Sequence, residues 1–267
     1  MAAIQPCALL LLVSGDWRVG AASANVGMLG DFRAPSVVGQ PLADLIGSKA
    51  IHSLRNRMSW LAKDESEVQD FGVQWGDVTL DVRAASEQDF YLVEAEISIE
   101  PRLPDSIGMV RSMSDRLSGT DPVALASQAM QQVGALSGFE RVMLCDRGGA
   151  VVAANRGEPV SLRFENNGRT RIIADRDAEP VPIVGDNSIA LLAHASHLAP
   201  DEATLDELRA ADIAAAMVLP LRIDGEQVGV LQAFHGSPRR CSAERRSVIH
   251  LFAERLVARM ARQGWKP

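Results

Sequence analysis

Residues 2–19 read AAIQPCALLLLVSGDWRV, and this stretch decides what kind of chain follows. An apolar run so close to Met1 suits either the core of an export signal or the first buried strand of a domain. Export signals place basic residues ahead of a longer apolar core and small residues behind it. Here nothing basic precedes Cys7, and Arg18 comes only after the run. Cys7 to Val13 is too short to cross a bilayer, which takes roughly 20 residues. A short run closed by Ser14-Gly15-Asp16, with Trp17 and Val19 resuming the pattern, predicts a buried strand. No other segment approaches transmembrane length, so the expected location is cytoplasmic, with no membrane partner.

Working outward, 267 residues are enough for two domains that each bury a core. A hydrophobic fraction of 47% and a charged fraction of 23% are ordinary globular values. The net charge of −7 and pI near 5.3 argue against nucleic acid or an anionic membrane as the main partner. Cys7, Cys145 and Cys241 form no disulfide framework and no paired zinc motif, which fits a reducing compartment. Aromatic residues make up only 4%, with Tyr91 the single tyrosine, whereas large planar ligands usually sit among aromatic side chains.

Residues 4 to 100 read as a small α+β unit. After the opening strand, VGMLGDF and PLADLIG predict short helical turns, and SLRNRMSWLAK places Leu54, Met58 and Leu61 on one helical face. The stretch VQDFGVQWGDVTLDVRAASEQDFYLVEAEI alternates apolar and polar positions between turn breaks, as antiparallel strands do. EPRLPDS closes the unit. Thr120-Asp121-Pro122 then starts a helix that runs to about Leu136 and ends at Gly138. RVMLCD and AVVAAN predict strands, RGEPVSLRFENNGRT an irregular polar piece, RIIAD a strand and DEATLDELRAADI a helix. AAMVLPLRIDGEQVGVLQAFH is a hairpin around IDGEQ. The closing helix carries Val248, Phe252 and Leu256 in a stripe beside Ile249 and Met260. That stripe packs on its own sheet or against a second copy of the chain.

Few residues suggest chemistry. His194 and His197 in HASH have the i,i+3 spacing of metal ligands, but no acidic or thiol partner completes a recognised pattern, so exposed histidines are expected. The glycines of CDRGG suit a hairpin turn, since no Walker-type Lys follows. The prolines of DRDAEPVP favour an extended surface loop over a carboxylate pair. Cys145 sits in a strand pattern. Cys241, behind Pro238-Arg239-Arg240, is the best redox candidate, because neighbouring arginines lower a thiol's pKa. No Ser/His/Asp or Cys/His arrangement is legible, and no enzyme is expected.

Helix, meander strands, loop-rich middle and hairpin match the plan of a GAF domain, and the unit before it suits a PAS domain. IQP, SANV, IGSKAIHSLRN, GFERVM, RIIADRDAEPVPIV and IDGEQVGVLQAFHGSPR sharpen this: the chain resembles the PAS–GAF core of bacteriophytochromes over nearly its whole length. The resemblance implies an α+β fold, with a PAS-like domain at 1–104 and a GAF domain at 105–267. Each is an antiparallel sheet flanked by helices, and a long C-terminal helix closes the second. It also implies a linear tetrapyrrole in the GAF domain, and there the matches thin out. The family's bilin-linking Cys lies ahead of IQP, where this chain has only Met1, Ala2 and Ala3. IQPHG becomes IQPCA, with Cys7 in place of His. The PASDIP segment has no counterpart, and the His of the HLEYLRNMGV helix aligns with Thr204. His235 matches the second His of CHHYSPR, and Arg171 an Arg that pairs with a propionate.

Burying ring nitrogens and acid arms unpaired costs about 1–3 kcal/mol each, so these losses predict a degenerate pocket with no cofactor. With the N-terminal tail and the lasso segment both short, the family's figure-of-eight knot is not expected. The expected function is a phytochrome-like sensory input module of two-component-type signalling. It would act as a homodimer through the C-terminal helix on a histidine kinase or other effector, fused or separate. The alternative is a biliverdin photoreceptor using Cys7, Arg171 and His235. Against that, Cys7 reads more simply as a small apolar residue inside the first strand. Two further classes are a GAF domain holding heme or a nucleotide, and redox sensing at Cys241.

Overall fold

The computed structural model describes residues 2–59, 67–75, 77–87 (only the backbone at Glu87), 90–156, 160, 168–185 and 192–266. Leu61 and most of RGEPVSLRFENNGRT lie outside the described residues. The chain divides into two units, Met1–Arg102 with Ala178–Ala199, and Leu103–Asp177 with Pro200–Pro267.

The first unit contains β1 (Ala3–Ile4), β2 (Ala8–Ser14), β3 (Val19–Ser23), a 3₁₀ turn (Ala24–Leu29) and helices α1 (Ala34–Val37), α2 (Leu42–Ile46) and α3 (Ser48–Met58). Strands β4 (Glu67–Trp75), β5 (Val78–Glu87) and β6 (Phe90–Ile97) follow. One more strand arrives from far along the chain, β10 (Val181–Gly185). Among the described residues the antiparallel sheet runs β1-β10-β3-β2-β6-β5-β4.

The central place of β2 explains its unbroken apolar run, because a strand covered on both faces has no solvent-facing position to mark. Leu9, Leu11 and Val13 join Val93, Leu80 and Val82 under Ile46, Ile51 and Leu54 of the helices. Leu10 and Leu12 face the other way, with Leu92, Ile183, Leu192 and Ala195. Cys7 is not inside the strand: it occupies the turn with Pro6 just before β2 and is partly exposed.

DRDAEPVP does not end in a surface loop either. Its prolines precede or occupy β10, which pairs with both β1 and β3. Pro182 faces Ala3, at the short end strand, where a missing N–H costs little. The tail is gripped on both edges. Ile183 N–H donates to the Ala2 carbonyl at 3.1 Å, Ala199 N–H to the Ala3 carbonyl at 3.0 Å, and Gln5 N–H to the His197 carbonyl at 2.8 Å. Tail and excursion engage each other.

The second unit begins with α4 (Ser106–Asp115), a helix the sequence pattern does not announce, followed by α5 (Pro122–Ser137). The Asp121 carboxylate accepts from Ala124 N–H at 2.9 Å, and Gly138 ends α5 in the left-handed region at φ 71°. Strands β7 (Arg141–Asp146), β8 (Val151–Ala154), β9 (Arg171–Ile173), β11 (Ala215–Ile223) and β12 (Glu226–His235) form an antiparallel sheet in the order β8-β7-β12-β11-β9. Asp224 and Gly225, at φ 50° and 85°, make the tight hairpin turn that needs two positive φ values.

Helix α6 (Glu202–Ala210) precedes the hairpin, and α7 (Ala243–Arg262) closes the chain. Val248, Ile249, Phe252, Leu256 and Met260 of α7 join one core with Val110, Leu125, Met130 and the helix-side residues of the sheet. The apolar stripe is therefore consumed within its own unit, and a dimer cannot use it. The buried Glu244 carboxylate accepts from Leu103 N–H at 2.9 Å and Ser106 Oγ at 3.0 Å, tying the start of α7 to the start of α4. Among the described residues no helix is long and apolar enough to cross a membrane.

Gly185 tests the borrowed strand. At φ 115° a Cβ would run into the Gly20 carbonyl and lie 2.8 Å from Ala21 Cα. Gly185→Ala should destabilise the first unit by about 1–3 kcal/mol, read as a lower urea midpoint at unchanged slope. A midpoint equal to wild type refutes the close approach.

Candidate functional site

Alternation along a strand sends successive side chains to opposite faces, so the second unit's sheet has two distinct surfaces. Val142, Leu144, Leu231 and Ala233 face the helical core. Met143, Cys145, Ile173, Ala216 and Phe234 face the other way. Register fixes the arrangement, with Ile173 opposite Ala216 and Ala216 opposite Phe234. Leu208 of α6 and Ile213 beyond it complete this second cluster, and Phe234 is fully buried in it.

The covering piece is held by a residue that motif matching does not single out as functional. Arg176 Nη1 donates to the carbonyls of Leu208 at 3.2 Å and Ile213 at 2.8 Å, and its backbone N–H to Ala214 O at 2.8 Å. It thus clamps the end of α6, adding to the Leu208 carbonyl, which already accepts from Ile213 N–H at 2.9 Å, and reaching the Ile213 carbonyl beyond it. The signal lay inside RIIADRDAEPVPIV, but an arginine that serves backbone carbonyls carries no motif. Thr204 belongs to the cap of the same helix: its N–H donates to Asp201 Oδ1 at 2.8 Å. The Thr204 side chain first, then that backbone bond and the charge of Arg171, hold the Asp201 carboxyl below the usual range.

Of the sequence candidates, Arg171 and His235 do not share a face. Arg171 pairs with Val218 on β11, which places it on the face of Ile173 and Ala216. His235 pairs with Ala215, whose side chain belongs to the helical core, so it lies on the opposite side. There its ring meets Phe139 edge-on at 6.2 Å, and its Nδ1 accepts from Ser237 N–H at 3.1 Å. The preceding residue, Phe234, is the one that faces the second cluster. Cys7 belongs to the first unit.

The other candidates are structural. Burial first, and then Asp146, push the Cys145 thiol up to about 11. Cys241 is buried in the helical core, and buried thiols are poor sensors. His197 is buried rather than exposed, and it and His194 sit in turns, not on a helix. Among the described residues no cluster of His, Cys, Asp or Glu could hold a metal. CDRGG is a hairpin turn, with Ala150 N–H donating to Asp146 Oδ1 at 2.8 Å.

The family model described as GAF domain matches residues 121–261, more than half the chain. The chain belongs to the GAF domain family. Ahead of this GAF domain, residues 1–98 match the model described as PAS fold, and together they make a phytochrome-like PAS–GAF module. Solved structures agree in fold. The photosensory core module of a Stigmatella aurantiaca phytochrome is 22% identical, with a TM-score of 0.78, over 98% of this chain and 58% of that one. The chromophore-binding domain of an unusual bacteriophytochrome from R. palustris is 21% identical, with a TM-score of 0.78, over 98% of this chain and 95% of that one. A longer structure of the R. palustris protein gives 22% identity and a TM-score of 0.81, again over 98% of this chain and 58% of that one. The PAS–GAF module thus spans somewhat over half of the photosensory structures. No curated protein matches the chain.

Cys145 offers a direct check on how closed this face of the GAF sheet is. A thiol raised to about 11 stays protonated at neutral and mildly alkaline pH. Native protein treated with iodoacetamide near pH 8 should leave Cys145 unlabelled until denaturant is added. Prompt native labelling at that position contradicts the closed face.

Proposed function

We propose that this PAS–GAF module is a sensory input unit that signals through protein contacts, with no bilin in the GAF domain. The observation that carries the reading is the cluster around Phe234: the sheet face that would carry a pigment is occupied by the chain's own side chains. A linear tetrapyrrole brings ring nitrogens and acid arms that need partners, and Phe234, Leu208 and Ile213 offer them none. Arg171 is the one candidate on the right face, and a single arginine answers at most one acid arm. His235, turned to the helical side and bonded to Ser237, supplies nothing there.

The output belongs to a histidine kinase or other effector of two-component type, and the boundary between the sensory domains falls near residue 104. No catalytic step is assigned to the module. Dimerisation is assigned to the outward side of α7, where Leu251 is 47% exposed while the inward stripe is buried. Supporting this, exposed apolar side chains on a helix gain most by covering one another across a two-fold axis.

The decisive experiment adds biliverdin to the purified protein. No red or far-red band and no photoconversion are expected; a photoconverting band establishes the photoreceptor alternative instead. Light scattering tests the second assignment. Wild type should run as a dimer, and Leu251→Arg should dissociate at concentrations about tenfold or more higher. A dimer of unchanged stability removes α7 from the interface.

A further inference from the structure

On the helix side of the GAF sheet, α4 and α5 leave between them a groove of about 610 Å³, within the range of about 300–1,000 Å³ usual for small-molecule sites. Met109 and Met113 of α4 wall it on one side, and Ala135 and Leu136 of α5 on the other. The two methionines stand four residues apart, so one face of α4 presents both. Their thioethers end flexible stems, which lets the wall adjust around an entering chain. The groove has no part in the pigment question, because Phe234 faces away from the helices.

Two polar groups of the lining lack the partner their chemistry calls for. Gln132 donates from Nε2 to the Met113 carbonyl at 3.2 Å, which fixes the nitrogen end of its amide, and Oε1 is buried with no donor. Folded chains rarely leave a buried amide oxygen so. Arg116, at the C-terminal cap of α4, is exposed, and its guanidinium makes no ion pair or hydrogen bond among the described residues. The Met113 carbonyl that Gln132 holds lies in the last turn of α4, directly before Arg116, so acceptor and cation share one end of the groove. Asp105 lines the other end, its carboxylate occupied in capping α4 by Gly108 N–H at 2.7 Å. One end is cationic and the other anionic, with about 15 Å of helix between them.

We propose that this groove binds an N-acyl amino acid, with the acyl chain along Met109 and Leu136, the amide N–H on Gln132 Oε1 and the carboxylate on Arg116. The class follows from what the lining lacks. A plain hydrocarbon leaves both polar groups unanswered. A simple fatty acid brings an anion to Arg116 but no donor to Gln132, and a cationic amphiphile meets Arg116 with like charge. An acylated amino acid carries donor and anion within one residue's length, as the last turn of α4 places acceptor and cation. The unlike ends of the groove set its direction, since a carboxylate is repelled at Asp105 and attracted at Arg116. Such a ligand gives the sensory module a chemical input on the helix side, whatever the opposite face holds.

Calorimetry of the full chain with N-decanoylglycine, kept below its micelle concentration, tests this, and one molecule per chain is expected. N-decanoylsarcosine, whose nitrogen bears a methyl in place of the hydrogen, should bind about threefold or more weakly, and N-decanoylglycine methyl ester about tenfold or more weakly. Arg116→Ala, at an exposed position, should erase the difference between acid and ester. Gln132→Leu should erase the difference between the N–H and N-methyl probes while keeping the preference for the acid. Ala135→Trp, on the exposed side of α5, fills the groove and should abolish binding. Absence of binding to the wild type overturns the site, as does equal binding of decyltrimethylammonium or undiminished binding by Ala135→Trp. A biliverdin band would sink the pigment-free reading of the GAF domain and leave this result standing.

Discussion

A carboxylate cannot stay ionised inside a sheet unless donors surround it, and besides Arg83 on the next strand Glu94 finds its donors in residues more than a hundred positions away. That requirement organises the first unit. Satisfying Glu94 fixes Ser196 and His197 on the sheet, and β10 at the other end of the excursion lies between β1 and β3. The N-terminal strand in turn has no place in the sheet except beside β10. The PAS unit is therefore not a contiguous piece of sequence. A cut at residue 104 would remove the strand that holds its tail and the donors that neutralise its interior charge.

The GAF domain rests on a simpler rule. Its sheet buries both faces, one under α4, α5 and α7, the other under α6 and the residues that follow it. Filling the second face with Phe234, Leu208 and Ile213 contributes apolar burial worth about 1.5–3 kcal/mol per large side chain. Arg176 ties that cover down through the Leu208 and Ile213 carbonyls. A surface stabilised in this way resists giving up its contents to a polar ligand. Stability and an open pocket compete for the same area.

Much of this was legible in the residues. Asp121 and Gly138 marked the ends of α5, Asp224-Gly225 marked the hairpin, and alternation marked β4 to β6, because each signal is local. What escaped was set by distant partners. Pro180 and Pro182 read as loop chemistry, yet Pro180 stands just ahead of β10 and Pro182 faces only the short end strand β1. His197 read as exposed because its carboxylates sit on β6. Helix α4 was missed because Gly108 and three serines dilute its apolar pattern, and its burial comes from α7. His235 was placed correctly on its strand, but a one-residue alternation decides which side it serves, and a string match cannot see sides.

Glu244 has a mechanical meaning beyond its bonds. Through Leu103 and Ser106 it rivets the point where the chain enters the GAF domain to the first turn of its last helix. Entrance and exit are thereby geared together. A displacement at Leu103 reaches the first turn of α7 through this carboxylate, alongside the apolar packing of α4 on the same helix.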